Sequence, residues 1–331
     1  MSEQSNTKYL NIFLDRIIPD NATCNTILSC CCPADIIALS RTCKGVRPKT
    51  MCFMTRAYDI NHHLLRFFDE PTKFRSLQAR TGTLISGSFA LQFFDRTVYP
   101  ESDLDLYVHL PRRKEVGHWL LAEGYSFAPN TKQDPDFDNA VDDERILVRD
   151  GIYTMRGVAA VFTFTKKVRD TETECKVQLV IGSNSPMEII LSFHSTCVMN
   201  VISYEKAYSL YPRATFKERR SLVCATDGPK QEPAIEKYSA RGWQMLRKLS
   251  RKERRSTNCS FRGGSRWIAD HDSWVIELDL AGVDLSPALS SASLPLVCDP
   301  VAVTNWTLQF SNYEPHGMEF TVVSTDKLYY E

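Results

Sequence analysis

No apolar run in this chain of 331 residues approaches the roughly 20 residues that a bilayer-crossing helix needs. The opening residues, Met1 to Lys8, are polar and hold no apolar core of a secretory leader. Both absences point to the cytoplasm or the nucleus and away from a membrane. Net charge is missing too. Forty basic residues balance forty acidic ones, so the whole molecule is no general binder of nucleic acid or anionic lipid, and any such role must come from a local patch. The eleven cysteines are odd in number and contain no Cys-x-x-Cys spacing, which speaks against a disulfide framework and for reduced thiols. Cys30, Cys31 and Cys32 are adjacent, an awkward arrangement for convergence on one zinc ion. They read instead as small buried apolar residues.

What remains is an ordinary globular composition, 43% hydrophobic, in a chain long enough for two or three domains. One stretch concentrates chemistry. Ile85-Ser86-Gly87-Ser88 leads into an apolar run through Phe94, and Asp103-Leu104-Asp105-Leu106-Tyr107-Val108-His109 follows. From Asp103 the residues alternate, with Asp103, Asp105, Tyr107 and His109 on one face and Leu104, Leu106, Val108 and Leu110 on the other, the period of a half-buried strand. Two carboxylates then project side by side at roughly 6 to 7 Å, close enough for both to reach one Mg²⁺ ion. Gly87-Ser88 sits where a helix opens, so backbone N–H groups there suit a phosphate.

A Gly-Ser turn, a helix and a strand carrying Asp-x-Asp resemble the nucleotidyltransferase fold shared by DNA polymerase β, poly(A) polymerases and antibiotic nucleotidyltransferases. The matching residues are Gly87, Ser88, Asp103 and Asp105, with a Ser88 to Asp103 gap at or slightly beyond the long end of the family's usual range. The resemblance implies Asp103 and Asp105 as catalytic metal ligands, with Mg²⁺ and a nucleoside triphosphate as cofactors if the site is active and none otherwise. It also implies a third carboxylate on a later strand, completing a two-metal site. Val158 to Lys166 and Cys175 to Ile181 read as a hairpin, and Gln178 takes that third position, with Lys176 on the same face. A neutral amide is a poor ligand for a hard divalent ion, and Glu172 and Glu174 lie two or more strand steps away. Gly87, Ser88, Lys176 and Gln178 are therefore the candidate cofactor-binding residues. Lys176 is expected to balance the two acids, which would otherwise repel by roughly 2.5 kcal/mol at an effective dielectric near 20.

Toward the N-terminus, Pro33-Ala34-Asp35 is a helix start, and Ile36, Leu39, Cys43 and Val46 form one apolar stripe. The order Ile18-Pro19, a short helix, then Pro33-x-Asp35-Ile36-Ile37-x-Leu39-Ser40-x-Thr42-Cys43-Lys44-x-Val46-Arg47 resembles an F-box over Tyr9 to Thr55. The family docks on the linker subunit of cullin-type ubiquitin ligases. The chain departs from it at Cys30 and Cys31, and the acid that usually follows the Leu-Pro pair is missing.

Elsewhere, Lys114 to Glu123 reads as a helix stopped by Gly124, the acid-rich stretch Asp134 to Glu144 as a solvated loop, and Ser185-Pro186-Met187-Glu188 as a capping box. His194 reads as a hydrogen-bonded helix histidine. A helix from Pro233 is expected to carry Ile235, Tyr238, Gly242, Leu246 and Leu249 inward. It ends in the basic residues Arg247, Lys248, Arg251, Lys252, Arg254 and Arg255, which read as a solvated helix end ahead of a nucleic-acid contact over 247–255. Ser273 to Leu280, Val301 to Phe310 and Glu319 to Ser324 read as strands.

The expected fold class is α/β (α+β): an F-box-like helical module (9–55), a nucleotidyltransferase-like mixed sheet with helices (56–228) and a smaller α/β C-terminal extension (229–331). Two functions follow from the resemblances. The chain is either an F-box-type adaptor or binding protein whose central domain has lost metal chemistry, or a Mg²⁺-dependent nucleotidyltransferase with an unknown acceptor. The missing third carboxylate favours the first. The partners implied are the ligase linker and a nucleotide.

Overall fold

The computed structural model of the chain describes residues 16–143, 156–167, 174–224, 231–286, 299, 301–310 and 318–321. Glu172 and residues 9–15 of the F-box-like stretch lie outside the described residues. The chain divides into two compact units, one of Met1–Asp59 with Phe216–Glu218 and one of Ile60–Thr215 with Arg219–Glu331.

Among its described residues the first unit has the helices α1 (Asn21–Cys30), α2 (Pro33–Ser40) and α3 (Arg47–Ala57). Asp20 caps α1 by accepting from the backbone N–H groups of Ala22 and Thr23. Pro33 opens α2 with Asp35 in its first turn, where an acid favours the helix dipole. Ile18, Cys24, Leu28, Ile36 and Val46 are buried together, with Leu39, Cys43, Phe53 and Met54 packed against them. Cys24 is thus a small core residue, whereas Cys30, two positions past Leu28 on α1, and Cys52 on α3 are exposed.

The second unit is a mixed α/β structure. Its helices α4 (Ile60–Leu64) and α5 (Pro71–Thr81) precede β1 (Leu84–Ser86), α6 (Gly87–Asp95) and β2 (Leu104–His109). Next come α7 (Arg113–Ala122), β3 (Ser126–Phe127), α8 (Phe137–Val141), β4 (Val158–Lys167), β5 (Glu174–Gly182) and α9 (Pro186–Leu191). β6 (Asn200–Ile202), β7 (Lys206–Ser209) and β8 (Arg220–Leu222) lead to α10 (Gln231–Ala240), β9 (Gln244–Leu246) and α11 (Arg251–Arg254). β10 (Gly264–Trp267), β11 (Trp274–Glu277), β12 (Asn305–Leu308) and β13 (Met318–Thr321) complete the described elements. Eight strands form one sheet in the order β11-β7-β6-β1-β2-β5-β4-β3, antiparallel except for the parallel pair β2/β5. β10, β12 and β13 make a second sheet, and β8 pairs in parallel with β9. Among the described residues, no helix is long and apolar enough to cross a membrane.

The hairpin expected from Val158 to Ile181 is β4/β5, paired from Lys167 opposite Glu174. The expected long helix from Pro233 is different. It stops at Ala240, and Gly242 takes a φ of +98°, a conformation that ends a helix and favours glycine. Trp243 is then buried, donating from its indole N–H to the Thr215 carbonyl at 2.9 Å, and the chain continues as β9. The basic run is therefore no single helix end. Arg247 holds both carboxylate oxygens of Glu232 at 2.7 and 2.8 Å, and α11 carries only four residues.

One buried cation ties the second unit together. Arg75 on α5 has no exposed surface, and its guanidinium donates to the carbonyls of Asp279 at 2.6 Å and Tyr204 at 2.7 Å and to Asn61 Oδ1 at 3.2 Å. These partners are 14, 129 and 204 residues away along the chain. Replacing Arg75 by Leu strands two carbonyls, each costing about 1–3 kcal/mol when left unpaired. A loss of about 2–4 kcal/mol in urea denaturation is expected, and a loss under 1 kcal/mol would show that water takes over those bonds.

Candidate functional site

The site begins where β1 runs into α6. Ser86 pairs with Asp105 across the β1/β2 ladder, and its hydroxyl donates to the Asn200 carbonyl at 2.6 Å, fixing the strand end. Gly87 follows with a φ of +68°. A Cβ at Gly87 would lie 2.7 Å from Asp105 Oδ2, so a side chain is excluded both by conformation and by the approaching carboxylate. The apolar face of α6 is sealed into the core by Ala90, Leu91, Phe93 and Phe94, which fixes where its first turn stands. Sequence reasoning expected Gly87-Ser88 to open this helix, and it does. The position in front of Gly87 is occupied by Asp105 itself.

β2 shows the expected alternation. Leu104, Leu106 and Val108 are fully buried on one face, while Asp103 and Asp105 are half-buried on the other. Tyr107 is more enclosed than a solvated face requires, 6% exposed and edge-on to Phe193 with centroids 5.8 Å apart. The parallel register places Leu104 opposite Val177 and Asp105 opposite Gln178. Lys176 and Gln178 consequently face the carboxylates. Lys176 Nζ lies 2.8 Å from Asp103 Oδ2, and the Gln178 amide donates to the same oxygen at 3.1 Å. Glu174 starts β5, exposed and paired across the hairpin with Lys167, away from the two acids.

The charges divide unequally. Desolvation, and then the negative charge of Asp103, push the Asp105 carboxyl up to about 7; Lys237 and, less strongly, Lys176 pull it back. Lys237 belongs to α10, and neither strand alternation nor motif spacing connects it with Asp105. Its own pKa is lowered by desolvation and by Arg241, and raised by Asp105 and Asp103. Around it stand Tyr238, with its ring centroid 5.8 Å from Lys237 Nζ, and Arg241, whose guanidinium lies 3.7 Å from the Tyr99 ring and 5.5 Å from Tyr238. Sequence reasoning missed Lys237, Arg241 and Tyr99. Tyr238 was assigned only to a core stripe.

His194 differs from expectation. α9 ends at Leu191, so His194 sits beyond the helix, stacked on Tyr238 with centroids 5.6 Å apart. Its Nδ1 is buried without a hydrogen-bond partner, and burial, followed by the charge of Lys237, drives its pKa down to about 4. Ser185 does cap α9, accepting from Met187 N, but Glu188 bonds to Asn184 rather than closing the box.

As a donor set the site presents two carboxylates. One Asp103 oxygen already accepts from an ammonium and an amide, and the third position offers a neutral side chain.

Asp105 and His194 bias stability in opposite directions. Asp105 has a folded pKa near 7 against an unfolded value near 3.8, so its contribution is whole below pH 4 and is lost as pH rises through 7. His194 has a folded pKa near 4 against 6.5 unfolded. Its contribution is whole above pH 6.5 and is lost as pH falls toward 4. Asp105→Asn is therefore expected to stabilise the protein at pH 8 by about 1–3 kcal/mol, after allowance for solvent screening, and to change little at pH 4. His194→Phe should gain on wild type as pH falls from 7 to 4. Urea denaturation across pH 4 to 8 checks both, and flat differences across that range would refute the assigned shifts.

Compared with family models, with curated proteins and with solved structures, the chain finds no match, so its function has to be argued from this geometry.

Proposed function

We propose that the chain is a binding protein: its N-terminal helical unit engages the linker subunit of a cullin-type ubiquitin ligase, and its nucleotidyltransferase-like centre recognises a ligand without two-metal chemistry. The observation that carries the second half is the contact of Lys176 Nζ and Gln178 Nε2 with one oxygen of Asp103, at 2.8 and 3.1 Å. A divalent ion bridging Asp103 and Asp105 would have to displace that ammonium, break the amide's bond to Asp103, and take a neutral amide oxygen where a third carboxylate is needed. The residues present do not fit a two-metal centre. An ammonium, by contrast, balances the acid without any ion. The first half is supported by the compact helical unit whose core joins Ile18, Ile36 and Val46, residues of the pattern that carries the F-box resemblance, with Leu28 of α1 packed among them.

An active Mg²⁺-dependent nucleotidyltransferase is the second reading. It is favoured by the approach of Asp105 to Gly87 at the start of α6, which places an acid beside a helix N-terminus suited to phosphate.

Calorimetric Mg²⁺ titration in the presence of a nucleoside triphosphate separates the two. Wild type is expected to show no tight binding. Gln178→Asp should raise affinity at least tenfold, about 1.4 kcal/mol, and adding Lys176→Met should raise it again. Tight binding by wild type, with labelled nucleotide transferred to an acceptor in an Asp103-dependent way, would establish the second reading. For the N-terminal unit, deleting residues 1–59 should abolish co-purification of the linker while the remainder stays folded. Equal recovery with and without those residues would refute the adaptor role.

A further inference from the structure

The first unit carries a groove that its own core does not fill. It lies between α2 and α3, has a volume of about 740 Å³, and is lined by Ile36, Ile37, Cys43, Met51 and Met54 together with Thr50. Ile36 belongs to the core beneath, with no exposed surface, and Met51 is 53% exposed at the lip. Methionines at a lip make an adaptable apolar contact, since the thioether chain re-fits to the partner's shape. The remaining lining is one-signed. Arg41, Lys44 and Arg47 border the groove, and among the described residues no aspartate or glutamate lines it. All three cations are exposed, and among the described residues none has an acid within ion-pair distance.

Apolar floor and cationic border together restrict the occupant. A nucleic-acid backbone would use the cations and leave the floor wet, because phosphates and sugars offer little apolar surface to cover Ile37, Met51 and Met54. A purely apolar segment would leave three charges facing a desolvated edge. An amphipathic helix with apolar side chains at i, i+3, i+4 and i+7 and carboxylates along one flank satisfies both. The border residues stand three apart in sequence, in the turn after α2 and at the first position of α3, so they offer a row of charge and not a single point.

We propose that this groove docks an acidic amphipathic helix of a partner protein, its apolar side chains against Ile37, Met51 and Met54 and its carboxylates against Arg41, Lys44 and Arg47. The inference deepens the reading of the N-terminal unit as the linker-binding part and rests on it for the partner being a protein. It adds the face used and the chemistry of the segment received.

The test uses the full-length chain and two labelled 20-residue helical peptides that share leucine anchors, one with glutamate and one with lysine at the flanking positions. Fluorescence anisotropy is expected to show saturable binding of the glutamate peptide, at least tenfold tighter than the lysine peptide and weakening with salt. The triple variant Arg41→Glu, Lys44→Glu, Arg47→Glu should invert that preference, and the uncharged Met51→Asn should weaken the glutamate peptide at least tenfold without altering the net charge. These side chains are exposed, and circular dichroism verifies that the variants stay folded. Absence of saturable binding, or binding indifferent to both variants, overturns the proposal. So does tight binding of a single-stranded oligonucleotide that survives Met51→Asn and is lost in the triple variant, because the cations would then serve phosphates. Purified ligase linker, run in parallel, keeps the two readings apart. Linker binding unaffected by charge reversal overturns the groove assignment and leaves the adaptor reading intact. Glutamate-peptide binding without linker binding does the reverse.

Discussion

The parallel pairing of β2 with β5 is the constraint on which the site depends. It is the one parallel pair in the eight-stranded sheet, and its register decides which side chains of β5 stand beside the two aspartates. With Asp105 opposite Gln178, the residues two apart on β5 fall on the same face, and Lys176 reaches Asp103. A shift of one residue would turn Lys176 and Gln178 away and present Val177 and Cys175 to the acids. Such a slip is opposed by burial, since Val177, Leu179 and Ile181 have no exposed surface and fill the opposite face. The core therefore selects the charge pairing.

Given that register, the two acids become unequal. Asp103, just ahead of β2, meets an ammonium and an amide from the neighbouring strand β5. Asp105 is pressed toward the backbone of Gly87 and loses water, and its largest compensating charge comes from Lys237 on α10. An acid that is desolvated beside a like charge holds its proton more tightly than usual. The arrangement resolves the repulsion between neighbouring carboxylates by ion pairing on one side and by proton retention on the other. A bridging metal would resolve it differently, by replacing both.

The N-terminal unit follows another logic. Its helices are short, and their stability rests on one shared core and on terminal signals: the Asp20 cap, and proline in the first turn of α2 and of α3. Its central residues Ile36 and Val46 are closed off, while Met51 stays at the surface beside the groove between α2 and α3. The cations at its border have no structural work within the described residues.

Much of this was legible in the residues themselves. Period-2 alternation from Asp103 to Val108 and the glycine before an apolar run placed β2 and the start of α6, because both are local consequences of burial on one face. The same strand logic put Lys176 and Gln178 on the acids' side. Lys237, Arg241 and Tyr99 were not legible. Lys237 is 132 positions from Asp105, and nothing local in α10 marks a lysine that will approach a carboxylate across the fold. The long helix expected from Pro233 failed for a related reason: its apolar spacing suited a helix, but Gly242 and the burial of Trp243 ended it and turned Gln244–Leu246 into a strand beside β8. Periodicity reports which face of a segment is buried. Which segments then meet, and so which charges must be balanced together, is set by long-range packing that no local pattern encodes.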